Sequence, residues 1–290
     1  MGLRTMLKAG KALRLQRNGN PEQALPLYEE AFSEGLNDAR FILPYSLLLI
    51  RDGQYQKAKE FLVARQNAPG MVGDQRVDLL VYYATCCFRL GNLDKGISTL
   101  EQQFRKAEKG LIFQTLGYLY IEKYDQANRP EFAALAEAAA QEEAPAPEEN
   151  GNGPENEDAE GEAPEDAEPE VPALSPEEEW NAGIEKAEAF IRKSVEYDDE
   201  DPICLDNLGE FLYRVRGDRE AAREWFDKAI ALKENQIDTL YFLSRYDLEA
   251  GNREAALAKL EKAAGGRFSP LNYCSREKIR QEIDKLKGAL

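Results

Sequence analysis

Apolar residues recur along this chain with helical spacing, in short blocks punctuated by glycine. Leu205, Leu208, Phe211 and Leu212 stand at i, i+3, i+6 and i+7 before Gly217, and Ala222, Phe226, Ala229 and Ile230 at i, i+4, i+7 and i+8 after it. Each block places its apolar side chains on one face of a helix. Together they predict two helices that each bury one face and are joined by a tight turn. The outline of the second block, GDREAAREWFDKAI, returns as GNPEQALPLYEEAF from Gly19 and GNREAALAKLEKAA from Gly251.

The spacing is nearly regular. Gly19 to Gly53 and Gly217 to Gly251 are each 34 residues, and Gly53 to Gly91 is 38. A small residue follows each glycine five places on: Ala24, Ala58, Gly96, Ala222 and Ala256. The glycine supplies the left-handed backbone that ends the first helix, and the small residue lets the second helix lie close against it. A fixed period of this length predicts stacked helical hairpins. We count six, near 5–38, 39–72, 77–109, 110–126 with 176–201, 202–236 and 237–268. After Ser275 a last helix with Ile279, Ile283 and Leu286 on one face is expected to cap the stack. The domain division expected is 1–126, an insertion at 127–175, 176–268, and a capping segment 269–290.

This pattern resembles the tetratricopeptide repeat. Leu208-Gly209, Gly217-Asp218, Ala222, Phe226 and Ala229 match its motif, with one residue more than the family spacing in the first helix of that unit. The first unit matches through Gly19-Asn20, Ala24, Tyr28 and Ala31, and the last through Gly251-Asn252, Ala256, Leu260 and Ala263. No unit has the family's tryptophan near the start of its first helix, and Arg65 and Gln103 replace the last alanine in units two and three. The resemblance implies an all-α, right-handed superhelical solenoid whose first helices line a concave groove for a peptide or partner helix.

Charge divides the chain. Residues 130–185 hold 19 of the 54 acidic residues and no Lys or Arg, so the net charge of −17 belongs to that segment and the remainder, with 35 acidic against 37 basic residues, is near neutral. Glu, Pro, Ala, Gly and Asn dominate there, a composition with little to bury, and about residues 144 to 174 are expected to be disordered. The insertion falls at the turn of the fourth unit. Loop closure grows costlier only slowly with length, so the flanking helices are expected to pair across it. Order resumes at Ser175, which heads a Ser-Pro-Glu-Glu helix start.

No apolar run approaches the roughly 20 residues needed to span a bilayer. No signal peptide precedes the first helix, and four cysteines without a spacing pattern suggest free thiols, so the expected location is the cytoplasm. Met1 runs almost directly into the first helix. An upstream anchor in a longer chain would make the protein a membrane-associated assembly or chaperone-like factor, the alternative to a free scaffold.

The inventory of reactive groups argues against catalysis. Histidine is absent, which removes the commonest general base. Cys86 and Cys87 are adjacent while Cys204 and Cys274 stand alone, so no Cys-x-x-Cys pair can hold a metal, and Cys86, Cys87 and Cys204 read as buried structural thiols. No phosphate-binding loop appears. No catalytic, cofactor or metal residue is therefore expected, and no small-molecule substrate. An enzyme of carboxylate acid/base type and an RNA-binding helical repeat rank below a protein-binding scaffold, the latter because a near-neutral body with a polyanionic insertion suits phosphate poorly.

The groove positions implied by the resemblance are Arg40, Leu47 and Arg51 in the second unit and Tyr82, Phe88 and Arg89 in the third. The fourth gives Gln114 and Tyr118, the fifth Asn207, Tyr213 and Arg214, and the sixth Tyr241, Phe242 and Arg245. Aromatics and arginine are enriched at binding hot spots, although an aromatic stripe at helical spacing is more often core. The positions that clamp a terminal carboxylate elsewhere in the family hold Ala9, Leu13, Pro44, Asp78 and Tyr82, so an apolar or helical segment is expected rather than a charged C-terminus.

Overall fold

The structure, a computed structural model, describes residues 2–132 and 174–288, and all regular elements among them are helical. Thirteen α-helices follow one another: α1 (Leu3–Arg17), α2 (Pro21–Ser33), α3 (Ala39–Arg51), α4 (Tyr55–Arg65), α5 (Asp74–Arg89), α6 (Leu93–Phe104), α7 (Gly110–Tyr124), α8 (Pro176–Tyr197), α9 (Pro202–Phe211), α10 (Arg219–Leu232), α11 (Ile237–Glu249), α12 (Arg253–Ala264) and α13 (Arg276–Gly288). Consecutive helices pack as antiparallel hairpins, α1 on α2 through α11 on α12, and each hairpin stacks on the next. The result is an all-helical solenoid.

The turns are built as the glycine spacing requires. Gly19, Gly53, Gly91, Gly217 and Gly251 all have φ between 72° and 79°, a region where a Cβ is strained. At Gly19 the following amide, Asn20 N–H, donates to Leu15 O at 2.9 Å and Gly19 N–H donates to Gln16 O at 3.2 Å, so the last carbonyls of α1 are satisfied. Gly53, Gly91 and Gly251 repeat this arrangement. The small residues five places on are fully buried at Ala24, Ala58, Ala222 and Ala256. At Gly96 an added Cβ would lie 3.0 Å from the Ala84 carbonyl oxygen, which explains why the third unit has glycine in that place.

The fifth unit departs from the others. After α9 the chain makes one π-helical stretch, Leu212–Arg216, and Asp218 N–H reaches Leu212 O, six residues back instead of five. This widened turn absorbs the extra residue of the unit's first helix.

The fourth hairpin forms across the insertion. α7 packs on α8 although the chain between them is 51 residues long. The acidic stretch expected to be disordered lies outside the described residues except at Leu174. Its described borders are a single 3₁₀ turn at Gln126–Asn128 and Ser175, which caps α8: Ser175 Oγ accepts from Glu178 N–H and the Glu178 carboxylate accepts from Ser175 N–H at 2.9 Å.

Two apolar clusters meet at α5. Leu79 and Cys86 belong to the core of the first two units, while Val77, Val81 and Ala84 belong to the core that runs through the remaining units and α13. α13 rests on α12 with Ile279, Ile283 and Leu286 buried. All four cysteines are buried and unpaired. Burial pushes the Cys86 and Cys204 thiols up to about 12, which leaves them poor nucleophiles near neutral pH. Among the described residues no helix is long and apolar enough to cross a membrane.

Candidate partner-binding groove

The first helices of units two to five stand side by side and line a cleft of about 380 Å³. α3 contributes Leu47 and Ile50, α5 Val81, Tyr82 and Thr85, and α7 Leu111, Gln114, Thr115 and Tyr118. α9 adds Ile203, Asp206, Asn207 and Glu210. The opposite wall is made by the segment Lys233–Asp238 and by a strap, residues 265–275, that links α12 to α13 and turns back into the concave side. A mostly apolar cleft with a few polar groups is the usual make-up of a recognition site.

Polar contacts hold the floor in shape. Gln114 Nε2 donates to Asp201 Oδ2 at 2.5 Å, and Asn207 Nδ2 donates to the Gln114 carbonyl at 2.9 Å, tying α7 to α9. Burial, and next the Asp78 charge, push the Tyr82 phenol up; burial and nearby carboxylates do the same at Tyr118. Both phenols are therefore neutral hydrogen-bonding groups near neutral pH.

At the inner end three buried carboxylates, Asp206, Glu210 and Asp238, bring oxygens within 4.8 Å of one another. Desolvation is the main cause of their raised pKa values. It lifts Asp206, helped by the Asp238 charge, to about 7, and lifts Glu210 well above the usual carboxylate range against the pull of Arg214. Asp238 is also raised by burial, against the three donors it holds: Asn272 Nδ2 at 2.6 Å, Tyr273 N–H at 3.2 Å and Cys274 N–H at 3.0 Å. Thr239 Oγ1 donates to Asp206, and Arg214 Nη1 donates to Glu210 at 2.7 Å. Their oxygens are of the type that ligates hard cations, but each carboxylate already has a donor within the fold. The trio thus works as a polar lock between α9, α11 and the strap.

The cleft collects Leu47, Tyr82, Gln114, Tyr118 and Asn207 of the residues expected in the groove. Arg51 and Arg89 line a second cleft beside it, across from the strap. Arg40 stands apart at the start of α3, paired with Asp38 at 2.7 Å. The rest are placed elsewhere. Phe88 packs edge-on against Tyr118 with centroids 5.8 Å apart. Phe242 is 2% exposed and stacks on Phe226 at 5.1 Å, and Tyr213 tilts against Phe242 in the same aromatic group.

Arg214, expected to face a partner, is instead buried in a network. Its guanidinium donates to Glu122 at 2.6 Å, Asp125 at 2.8 Å and Glu210 at 2.7 Å, and the Tyr273 ring covers it at 4.0 Å. The strap completes this enclosure and lays Tyr273 over unit six as well, with Tyr241 5.9 Å and Phe242 5.3 Å from its ring. Arg245 is held by Glu282 of α13 at 3.2 Å. The strap residues Arg267, Ser269, Pro270, Leu271 and Asn272 are the part of the groove that sequence reasoning missed. Only Gly265-Gly266 and Pro270 signal that helix stops there; nothing local says where the segment goes.

Comparison with known proteins bears on the fold. Residues 203–235 match the family model described as tetratricopeptide repeat. No curated protein sequence matches the chain. Among solved structures, the fold is similar to PilW, a type IV pilus biogenesis factor, at 12% identity over 98% of this chain and 100% of that one, with a TM-score of 0.56. It is similar as well to human IFIT1, solved as a dimer with m7Gppp-AAAA, at 15% identity and a TM-score of 0.57. That match covers 96% of this chain and 53% of IFIT1, so the chain spans about half of IFIT1's length. A thermophilic TPR protein of Thermus thermophilus, TTC0263, aligns over 98% of both chains at 13% identity with a TM-score of 0.45. At these identities the likeness is one of fold.

Proposed function

We propose that this chain, which carries a tetratricopeptide repeat within an all-helical solenoid, is a non-catalytic scaffold that holds a segment of a protein partner in the cleft between α3, α5, α7 and α9. One observation carries the reading: four successive first helices present an apolar cleft of about 380 Å³ with Tyr82, Gln114 and Asn207 as its polar points. The strap supports it, because a stretch without regular secondary structure already docks on the same concave side through main-chain N–H groups held by Asp238. An acid/base enzyme draws no support from the carboxylate trio, whose oxygens are engaged by Thr239, Arg214 and the strap. RNA suits the cleft poorly, since its lining is mostly apolar and offers only Lys233 and Arg267 as cations.

A photo-crosslinking residue placed at Leu111, on the cleft and 37% exposed, tests the proposal against the same residue at Val63, on α4 and 48% exposed. In extracts of the source cell, a defined protein adduct is expected from Leu111 and not from Val63. Equal adducts from both positions, or none from Leu111, would refute the groove.

A further inference from the structure

The cleft beside the groove has an unusual charge content. About 490 Å³ in volume, it is lined by Arg51, Arg89, Arg267 and Arg276 with no acidic residue among its walls. Arg51 and Arg89 come from the C-terminal ends of α3 and α5, Arg267 from the strap, and Arg276 from the first turn of α13. Among the described residues none of the four forms an ion pair. Several arginines elsewhere do, among them Arg40 with Asp38, Arg192 with Glu188, Arg216 with Glu185 and Glu188, and Arg245 with Glu282, while Arg14 and Arg105 stand without an ion pair among the described residues but apart from one another. Outside residues 130–185 acidic and basic residues nearly balance, so four cations without an acidic partner around one hollow need an explanation.

The bland explanation covers half of them. Basic residues at the C-terminal end of a helix offset its partial negative charge, which accounts for Arg51 and Arg89. Arg276 has the opposite placement, at the positive end of α13, where a cation is disfavoured. Its guanidinium is nevertheless fixed there, donating to the Ala264 carbonyl and, at 2.9 Å, to the Gly266 carbonyl, with the Phe268 ring 4.5 Å away. Arg267 faces Arg51 closely enough to depress its pKa, after the larger effect of burial. Arg89 is held over the Tyr55 ring at 5.5 Å. These contacts orient the guanidinium groups and neutralise none of them.

We infer that this cleft is an anion-binding site, and that its ligand is an acidic segment of the protein partner whose apolar residues lie in the neighbouring groove. Guanidinium forks match carboxylates in geometry, and several of them converging favour a ligand with more than one carboxylate. The two clefts adjoin, sharing a wall made by Arg267, Ser269, Pro270 and Asn272. An occupant that crosses this wall meets apolar side chains on one side and arginine on the other. A nucleic acid crossing it would lay its charged backbone against the mostly apolar lining of the groove. The assignment rests on the groove reading for the nature of its ligand, a peptide, but not for the site itself.

Fluorescein-labelled hexaglutamate serves as the probe, with anisotropy measured on the full chain at about 20 mM and about 300 mM salt, where screening differs severalfold. Binding is expected at low salt and is expected to weaken at high salt. The double variant Arg51→Gln, Arg89→Gln is expected to lose on the order of tenfold or more in affinity, about 1.4 kcal/mol. Its melting temperature without ligand is expected to stay close to that of the parent, because no carboxylate loses a partner and the relieved repulsion offsets the loss at the two helix ends. Arg223→Gln, on the outer side of α10, is expected to bind as the parent does. Equal affinity in the double variant and the parent would overturn the site; binding of inorganic tripolyphosphate without binding of hexaglutamate would overturn the peptide as its ligand. Binding seen only after residues 146 to 173 are removed would overturn the partner reading and give the site to the chain's own acidic segment. Hexaglutamate binding with no adduct from Leu111 would sink the groove alone, and an adduct from Leu111 with no hexaglutamate binding in either chain would sink the arginine site alone.

Discussion

Replacing Gly209 by alanine would place a Cβ 2.8 Å from two ring carbons of Phe226, well inside van der Waals contact. The ring has nowhere to retreat. Phe226 is fully buried, lies nearly parallel to Phe242 at 5.1 Å and 7°, and has Tyr213 6.4 Å away on its other contact. Overpacking of this kind costs about 1–3 kcal/mol. Alanine gains about 1 kcal/mol over glycine inside a helix, so the net effect expected of Gly209→Ala is a loss of about 0–2 kcal/mol. Gly10→Ala is the control: it makes the same chemical change in the middle of α1, where the added methyl meets nothing within 4 Å. There only the helix term remains, and a gain of about 0.5–1 kcal/mol is expected. Urea unfolding measures both. The chain's two tryptophans, Trp180 and Trp225, lie on α8 and α10, so their fluorescence reports the units that contain Gly209, while far-UV circular dichroism reports the first unit as well. A Gly209→Ala midpoint raised as far as that of Gly10→Ala would show that the α9–α10 packing is wrong.

Two further substitutions probe the interior. Asp206 has a folded-state pKa of about 7 against a reference value of 3.8. Its protonated form therefore favours folding, and that stability is present below the reference value and lost as pH rises through about 7, at most about 4 kcal/mol. Asp206→Asn keeps the neutral form at every pH and is expected to flatten the fall in melting temperature between about pH 5 and pH 8 without abolishing it, since Glu210 is raised in the same direction; parallel curves for variant and parent would refute the assignment. Ala222→Leu puts a large side chain where α10 crosses α9 with no exposed surface and is expected to cost about 1–3 kcal/mol, whereas Glu220→Ala on the outer face should cost a few tenths; the reverse order in thermal melts would mean a shifted repeat register.

What could be read from the sequence was what neighbouring residues impose on each other. The hairpin turns were legible because a left-handed glycine and a small residue five places on are both local demands. The start of α8 was legible because Ser175, Pro176 and Glu178 satisfy it among themselves, and the buried face of α13 because Ile279, Ile283 and Leu286 repeat at helical spacing. The extra residue in the fifth unit was visible as a spacing fault, but not its outcome. Taken up as a π-helical stretch, it turns Tyr213 and Arg214 away from the positions that the family's regular spacing implies, one toward Phe242 and the other toward Glu122 and Asp125. The strap was not legible at all. Its path is fixed by Asp238, some 35 residues earlier in the chain, and by a guanidinium that Tyr273 covers from another unit. Long-range pairs of that kind leave no periodic trace.

The fourth hairpin has a consequence for the covalent chain itself. α7 and α8 face each other directly, and the two sides are joined by Gln114 to Asp201, Lys186 to Glu101, Lys193 to Glu108 and Arg214 to Glu122 and Asp125. A break in the polypeptide anywhere between 133 and 173 would remove none of these contacts. The product would be a heterodimer of two short solenoids, each supplying one helix of the shared hairpin. In the intact protein the covalent connection makes the pairing of the two halves intramolecular. Expressed as separate polypeptides, the halves would amount to a natural complementation pair whose reassembly reports on the α7–α8 interface.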